Sequence, residues 1–168
     1  MKIAFIGAHG VGKTTLCYDL AARLKRQDRV VDLVMEVARR SPLPINRDTT
    51  VEAQRWILHT QIAEEISAGA AGGIVICDRS VLDNYAYLVH RAGRQPALDA
   101  LVAEWVRTYH RLFKVPVLGV PTFDGRRELA AAFDVDWVRL DPEDRAGWID
   151  AALQASGLPL APPQIELL

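Results

Sequence analysis

The 168-residue chain has only two cysteines, Cys17 and Cys77. Two thiols cannot build a disulfide framework or a four-ligand zinc site. They fit a reducing compartment. No apolar run approaches the ~18 residues needed to span a bilayer. The run before Gly7 is also too short for a secretory signal, so the expected location is cytoplasmic. A surplus of charge is missing too: 20 basic residues face 21 acidic ones, for a net charge of -1. A protein that grips nucleic acid or membrane through a broad basic field should be more positive. Membrane and nucleic acid are therefore set aside as partners, and any anion must be recognised locally. Lysine is scarce, 4 of the 20 basic residues, against 16 arginines. Composition bias explains such an excess, except where an arginine falls beside a phosphate motif.

Other signatures are absent. His9, His59, His90 and His110 show no H-E-x-x-H or other ligand spacing. There is no G-x-S-x-G elbow, no G-x-G-x-x-G dinucleotide fingerprint and no N-K-x-D guanine tetrad. There is no internal repeat. What remains is 50% hydrophobic and 24% charged, the balance of a soluble globular protein. The length suits one domain, taken as residues 1–168. Composition does not bear on oligomeric state.

Short apolar runs at 2–6, 30–35, 74–77, 111–117 and 136–140 read as strands. Between them lie helical patterns. Leu16, Leu20 and Leu24 mark a helix over 14–26. Thr49 and Glu52 resemble a capping box, opening a helix with Trp56, Ile57, Ile62 and Ile66 that stops near Gly69. Ser80 caps a helix to about Arg91, and Pro96 opens another carrying Leu98, Leu101, Val102 and Trp105. A short helix is expected around Arg127–Ala132, and Pro142 is expected to open a last one to about Ala155. Segment 41–48 is a loop. The four tryptophans are read as core, with Trp56 a possible pocket residue; Tyr85 and Tyr87 share that ambiguity. Strand–helix alternation predicts an α/β fold with a parallel sheet covered on both faces.

Residues 7–14, Gly7-Ala8-His9-Gly10-Val11-Gly12-Lys13-Thr14, read G-x-x-x-x-G-K-T between a strand and a helix. This is a phosphate-binding loop in the setting it requires. Glycines let the backbone wrap a phosphate, amide N–H groups point inward, and the helix adds its positive end. The expected nucleotide contacts are Gly7, His9, Gly10, Val11, Gly12, Lys13, Thr14 and Thr15. Lys13 should reach the β- and γ-phosphates, while Thr14 should ligate Mg²⁺. His9 sits at a variable position and reads as a bystander.

The third strand ends in Asp78-Arg79-Ser80. Its terminal carboxylate lies beside the phosphate loop in a parallel sheet, where it can hold the metal. Arg79 suits a phosphate fork or an ion pair. Asp83, a turn later, is first a helix-start carboxylate and second a substrate contact. The second strand leads into Glu36-Val37-Ala38-Arg39.

Together these motifs resemble the P-loop kinases of nucleosides and nucleotides. They are most similar to the ribosylnicotinamide-kinase-like AAA-type ATPase domain of bacterial NAD regulators, and more distantly to thymidylate kinases. The resemblance covers roughly residues 1–130. It rests on the phosphate loop, the E-x-A-R match at Glu36 and Arg39, Asp78-Arg79-Ser80, and the Asp83–Tyr87 stretch. It implies a three-layer P-loop sandwich with sheet order 2-3-1-4-5 and an acceptor site opposite the loop. Glu36 would line that site as base or hydroxyl contact, helped by Arg39, Arg79 and Asp83. It also implies a short lid loop at Thr122-Phe123-Asp124-Gly125-Arg126-Arg127, whose D-G-x-R match is Asp124, Gly125 and Arg127. Arg126 is chemically as good a candidate for closing over the γ-phosphate. The expected catalytic set is Lys13, Glu36, Asp78, Arg79, Arg126 and Arg127, with Thr14 and Asp78 on the metal.

The expected activity is Mg²⁺-dependent transfer of the γ-phosphoryl of ATP, or GTP, to a small nucleoside- or nucleotide-like acceptor. The alternative is a nucleotide-binding switch or accessory ATPase acting through a protein partner.

Overall fold

A computed structural model describes residues 1–117 and 125–161. With short 3-10 turns at Val37–Arg40 and Asn46–Asp48, five strands and six α-helices follow one another among the described residues. They are β1 (Lys2–Ile6), α1 (Lys13–Lys25), β2 (Val31–Val34), α2 (Val51–Gly69), β3 (Ile74–Asp78), α3 (Val81–Ala92), α4 (Pro96–Val106), β4 (Arg111–Lys114), α5 (Arg126–Ala132), β5 (Val138–Arg139) and α6 (Trp148–Ala155). The sheet order is β2-β3-β1-β4-β5 and every pairing is parallel. This is the expected order.

The sheet alternates its side chains between two cores, as period-two strands must. Ile3, Phe5, Ile76 and Phe113 face α1 and α6, packing with Leu16, Leu20, Trp148 and Leu153. Ala4, Ile6, Cys77 and Leu112 face the other way, against α2 to α5. Three layers result. Both faces are covered, which is why the strands read as continuous apolar runs. No described helix is long and apolar enough to cross a membrane.

Parallel pairing brings every strand's C-terminal end to one edge. Phe5 lies level with Asp78, and Val34 with Cys77. The phosphate loop after β1, Glu36 after β2 and the Asp78 turn after β3 therefore share that edge.

Several sequence expectations need correction. Thr50, not Thr49, caps α2, accepting from the Ala53 N–H at 3.1 Å, while Thr49 Oγ1 accepts from Gln54 Nε2 at 2.7 Å. Ile66 is exposed; the buried face of α2 carries Gln54, Gln61 and Glu65 beside Ala53, Ile57 and Leu58. The last helix begins at Trp148, not Pro142. Asp141 and Asp144 carboxylates accept from the N–H groups of Glu143 and Gly147, at 2.9 and 3.0 Å, and these turns compete with helix. β4 ends at Lys114, and β5 keeps only two of its five expected residues. Trp148 is core; Trp105 and Trp137 are partly buried against the α2–α5 core, and Trp56 is half-buried. Tyr85 is fully buried, with its hydroxyl bonded to Asp99, so it is no pocket residue.

Candidate active site

The phosphate loop begins where β1 runs out. Gly7 has φ +146, and a Cβ there would stand 2.9 Å from the Val115 carbonyl. Gly12 has φ +94, and its Cβ would meet the Arg145 guanidinium at 2.9 Å. A side chain at either position would displace what packs there. Gly12 leads directly into α1, so the amides of Lys13 and Thr14 are at a helix N-terminus.

Lys13 is buried, and its ammonium donates to the Ala8 carbonyl at 2.5 Å. Burial lowers its pKa to about 8, helped by the nearby Arg79 charge and opposed by Asp83, Asp78 and Glu36. The Thr14 hydroxyl donates to Asp78 Oδ2 at 2.5 Å. Asp78 Oδ1 is buried without a hydrogen-bond partner among the described residues. Burial holds the Asp78 carboxyl above its usual pKa, against the Thr14 bond and Lys13. A hydroxyl, a bonded carboxylate oxygen and an orphaned one are hard oxygen donors that fit Mg²⁺. No cluster of three or more His, Cys, Asp or Glu offers a competing metal site among the described residues. Such a cation would draw its other ligands from phosphate and water. Val11 and Thr14 are half-buried, while His9, Gly10 and Thr15 are exposed.

Glu36 joins two arginines, one on each oxygen. Arg79 Nε donates to Oε1 at 2.7 Å and Arg39 Nε to Oε2 at 2.8 Å. Arg39 then reaches the Thr14 hydroxyl at 3.3 Å. A chain of contacts thus runs Arg79–Glu36–Arg39–Thr14–Asp78. Burial raises the Glu36 pKa, but the charges and hydrogen bonds of Arg79 and Arg39 outweigh it, and the net shift is downward. A carboxylate held ionised in this way is a weak proton acceptor and a good orienting group.

Asp83 is the helix-start carboxylate expected, in the first turn of α3, but its side chain and Arg126 are engaged with each other. Asp83 is fully buried and pairs with the buried Arg126 guanidinium, which also donates to the Gly7 carbonyl at 3.3 Å. Asp83 therefore braces the phosphate loop and is not open to an acceptor. Arg126 opens α5 and is not a loop side chain here, whereas Arg127 is exposed. Tyr87 links the two clusters: the guanidinium carbons of Arg79 and Arg126 each lie 5.3 Å from its ring centroid. Of the expected lid, Thr122, Phe123 and Asp124 fall outside the described residues.

Beside the loop, between α3 and α5, is a cavity of about 430 Å³, floored by Ala8 and His9 and walled by Tyr87, His90, Arg126 and Leu129. Sequence reasoning did not find Arg145, which lies against Gly12 with its guanidinium 5.5 Å from the Trp148 ring centroid. No motif marks it; only the return of the chain before α6 brings it there.

These elements define a P-loop nucleotide-binding α/β domain. The family described as an AAA domain matches residues 2–156, and the chain belongs to that family. Its fold is shared with a solved kinase. The crystal structure of thymidylate kinase from Ehrlichia chaffeensis superposes with a TM-score of 0.67 at 20% identity, covering 92% of this chain and 96% of that one. No curated protein matches the chain.

Proposed function

We propose that this protein is a kinase that moves the γ-phosphoryl of ATP to a hydroxyl or phosphate of a small nucleoside- or nucleotide-like acceptor. The observation that carries the reading is the convergence at one sheet edge of three devices: the Lys13 loop, the Thr14–Asp78 oxygen pair and the Glu36–Arg79–Arg39 cluster. A simple nucleotide switch has no need of the third. The cavity by Ala8 and His9 has the volume of a small-molecule pocket, roughly 300 Å³ or more, and would take the acceptor's ring.

Chemistry of this type is mostly positioning and charge neutralisation. Lys13 would leave the Ala8 carbonyl and hold the β- and γ-phosphates. Thr14 and Asp78 would hold Mg²⁺, which supplies charge neutralisation on the phosphates when bound. Arg79 and Arg39 present donors to the transferring group or the acceptor, and Glu36 keeps both in place. Its lowered pKa supports orienting the acceptor hydroxyl over deprotonating it. Arg127, exposed at the start of α5, is the arginine available to close over the γ-phosphate. The thymidylate kinase fold supports an acceptor of nucleotide class.

The test is a panel of nucleosides and nucleoside monophosphates incubated with ATP or GTP and Mg²⁺, read by mass spectrometry for phosphorylated product. Acceptor-dependent product is expected, and Lys13→Ala should abolish it with an unchanged circular-dichroism spectrum. Full activity in Lys13→Ala would sink the assignment. Nucleotide binding without turnover under any acceptor would favour the partner-directed switch.

A further inference from the structure

Arg79 has φ +86, in the left-handed region that L side chains rarely adopt. Among the described residues of the site it is the only non-glycine with such a backbone. Conformations of this kind persist where the surroundings enforce them. Here the Arg79 N–H is held by the Phe5 carbonyl of β1 at 3.1 Å, and further enforcement comes from side chains behind the sheet. The Val81 N–H donates to the Tyr109 hydroxyl at 3.0 Å. Gln61 Nε2 makes a long bond, 3.5 Å, to the Arg79 carbonyl. Both sides of the buried Ser80 are thus tied to side chains from other elements, α2 and the segment before β4.

Those two side chains share one anchor. The Tyr109 hydroxyl donates to Glu65 Oε1 at 2.5 Å, and Gln61 Nε2 donates to the same oxygen at 2.8 Å. Glu65 Oε2 accepts from Lys2 Nζ at 2.7 Å and Trp105 Nε1 at 2.8 Å. The Lys2 ammonium lies over the Trp105 and Tyr109 rings, 4.5 and 4.6 Å from their centroids. The Glu65 side chain is wholly buried and every donor points at it.

A carboxylate can only accept. It therefore fixes the sense of each bond. Tyr109 must spend its hydrogen on Glu65 and offer a lone pair to Val81. Gln61 must present its NH₂ group, because its carbonyl would set oxygen against oxygen at both Glu65 and Arg79. Gln61 Oε1 is left to accept from Asn84 Nδ2 at 3.5 Å. Burial also pushes the Tyr109 phenol well above its usual pKa, so its proton stays in place.

We propose that Glu65 is the hub of a positioning network which, through Tyr109 and Gln61, holds the Arg79 turn in its left-handed conformation and so aims the Arg79 guanidinium at Glu36 and the phosphate-facing edge. Tyr109 is the principal positioning residue and Gln61 the second. Neither touches substrate. The activity arm of the test rests on the kinase reading; the conformational arm does not.

Two variants separate positioning from stability. Tyr109→Phe keeps the ring over Lys2 and removes both hydroxyl bonds. Lys2→Met removes the ammonium from Oε2 and leaves the Oε1 side whole. The Arg79 Nε–H resonance is followed by NMR in the ligand-free protein, together with melting temperature and acceptor-dependent turnover. Tyr109→Phe should shift or broaden the Arg79 resonance and lower kcat at least tenfold, with KM for ATP within twofold. Lys2→Met should lower the melting temperature at least as much, yet leave the resonance and kcat within twofold of wild type. An unmoved resonance and unchanged kcat in Tyr109→Phe overturn the proposal, as does an equal kcat loss in both variants at equal melting temperature. If Tyr109→Phe does not fold, Gln61→Met is read the same way. Absence of acceptor turnover in the wild type would defeat the kinase reading, and the Arg79 resonance would still decide this one.

Discussion

Arg126 and Asp83 form an ion pair almost entirely out of water, with side-chain exposures of 2% and 0%. The pair joins the start of α5 to α3, and both partners reach the Gly7 backbone: Arg126 bonds its carbonyl, and Asp83 Oδ1 accepts its N–H at 3.4 Å. It serves as the keystone of the phosphate loop.

Breaking that pair from one side leaves a charge stranded. Arg126→Ala should destabilise the protein by about 3–5 kcal/mol, measured by urea unfolding. The paired replacement Asp83→Leu with Arg126→Met should recover most of that loss, because a buried ion pair is often no better than apolar packing. A double variant as unstable as the single one would mean that the bonds to the Gly7 backbone, and not the stranded charge, carry the loss.

Lys13 should make nucleotide affinity depend on pH in a definite sense. Its folded-state pKa of about 8 is below its unfolded value of 10.5, so below pH 8 the folded protein carries a charge it hosts poorly. Stability from this group alone should rise as pH climbs from about 8 towards 10.5. Lys13→Met should therefore be more stable than wild type at pH 7, with the gap closing over that window in urea titrations. ATP favours the ammonium, so wild-type affinity measured by calorimetry should fall above pH 8. Lys13→Met, already weak, should show no such slope between pH 8 and 10.

Arg145 is expected to contact the bound nucleotide, since its guanidinium overlies Gly12 at the head of α1. Arg145→Ala should weaken ATP binding several-fold, about 1 kcal/mol for an exposed charged contact. Its melting temperature should stay within a degree or two of wild type. Unchanged affinity would remove Arg145 from the nucleotide site.

The phosphate loop, Glu36, Arg39, Asp78 and Arg79 were legible in the sequence because each is written locally, as a few residues following an apolar strand. A parallel sheet then brings them together without further instruction. Glu65 and Gln61 were not legible. They occupy the buried face of α2, where apolar periodicity led to Ile66 instead, and their partners Lys2, Trp105 and Tyr109 are distant in sequence. A polar residue facing the core carries no local mark of the donor that will satisfy it. The start of α6 failed for the opposite reason. Pro142 is a good first-turn residue, but Asp141 and Asp144 satisfy nearby amides more cheaply than a helix would.

The two-residue β5 has a neighbour on one side only, whereas β1 is flanked by β3 and β4. Arg145 is carried by the chain that follows this thinnest strand. Among the described residues, one wall of the proposed nucleotide site is therefore built on a strand paired on both sides and the other follows a strand paired on one. Substitutions in residues 140–147 should shift Arg145 over Gly12 while the Lys13–Ala8 and Thr14–Asp78 contacts stay as they are. The two walls can then vary independently of one another in this fold.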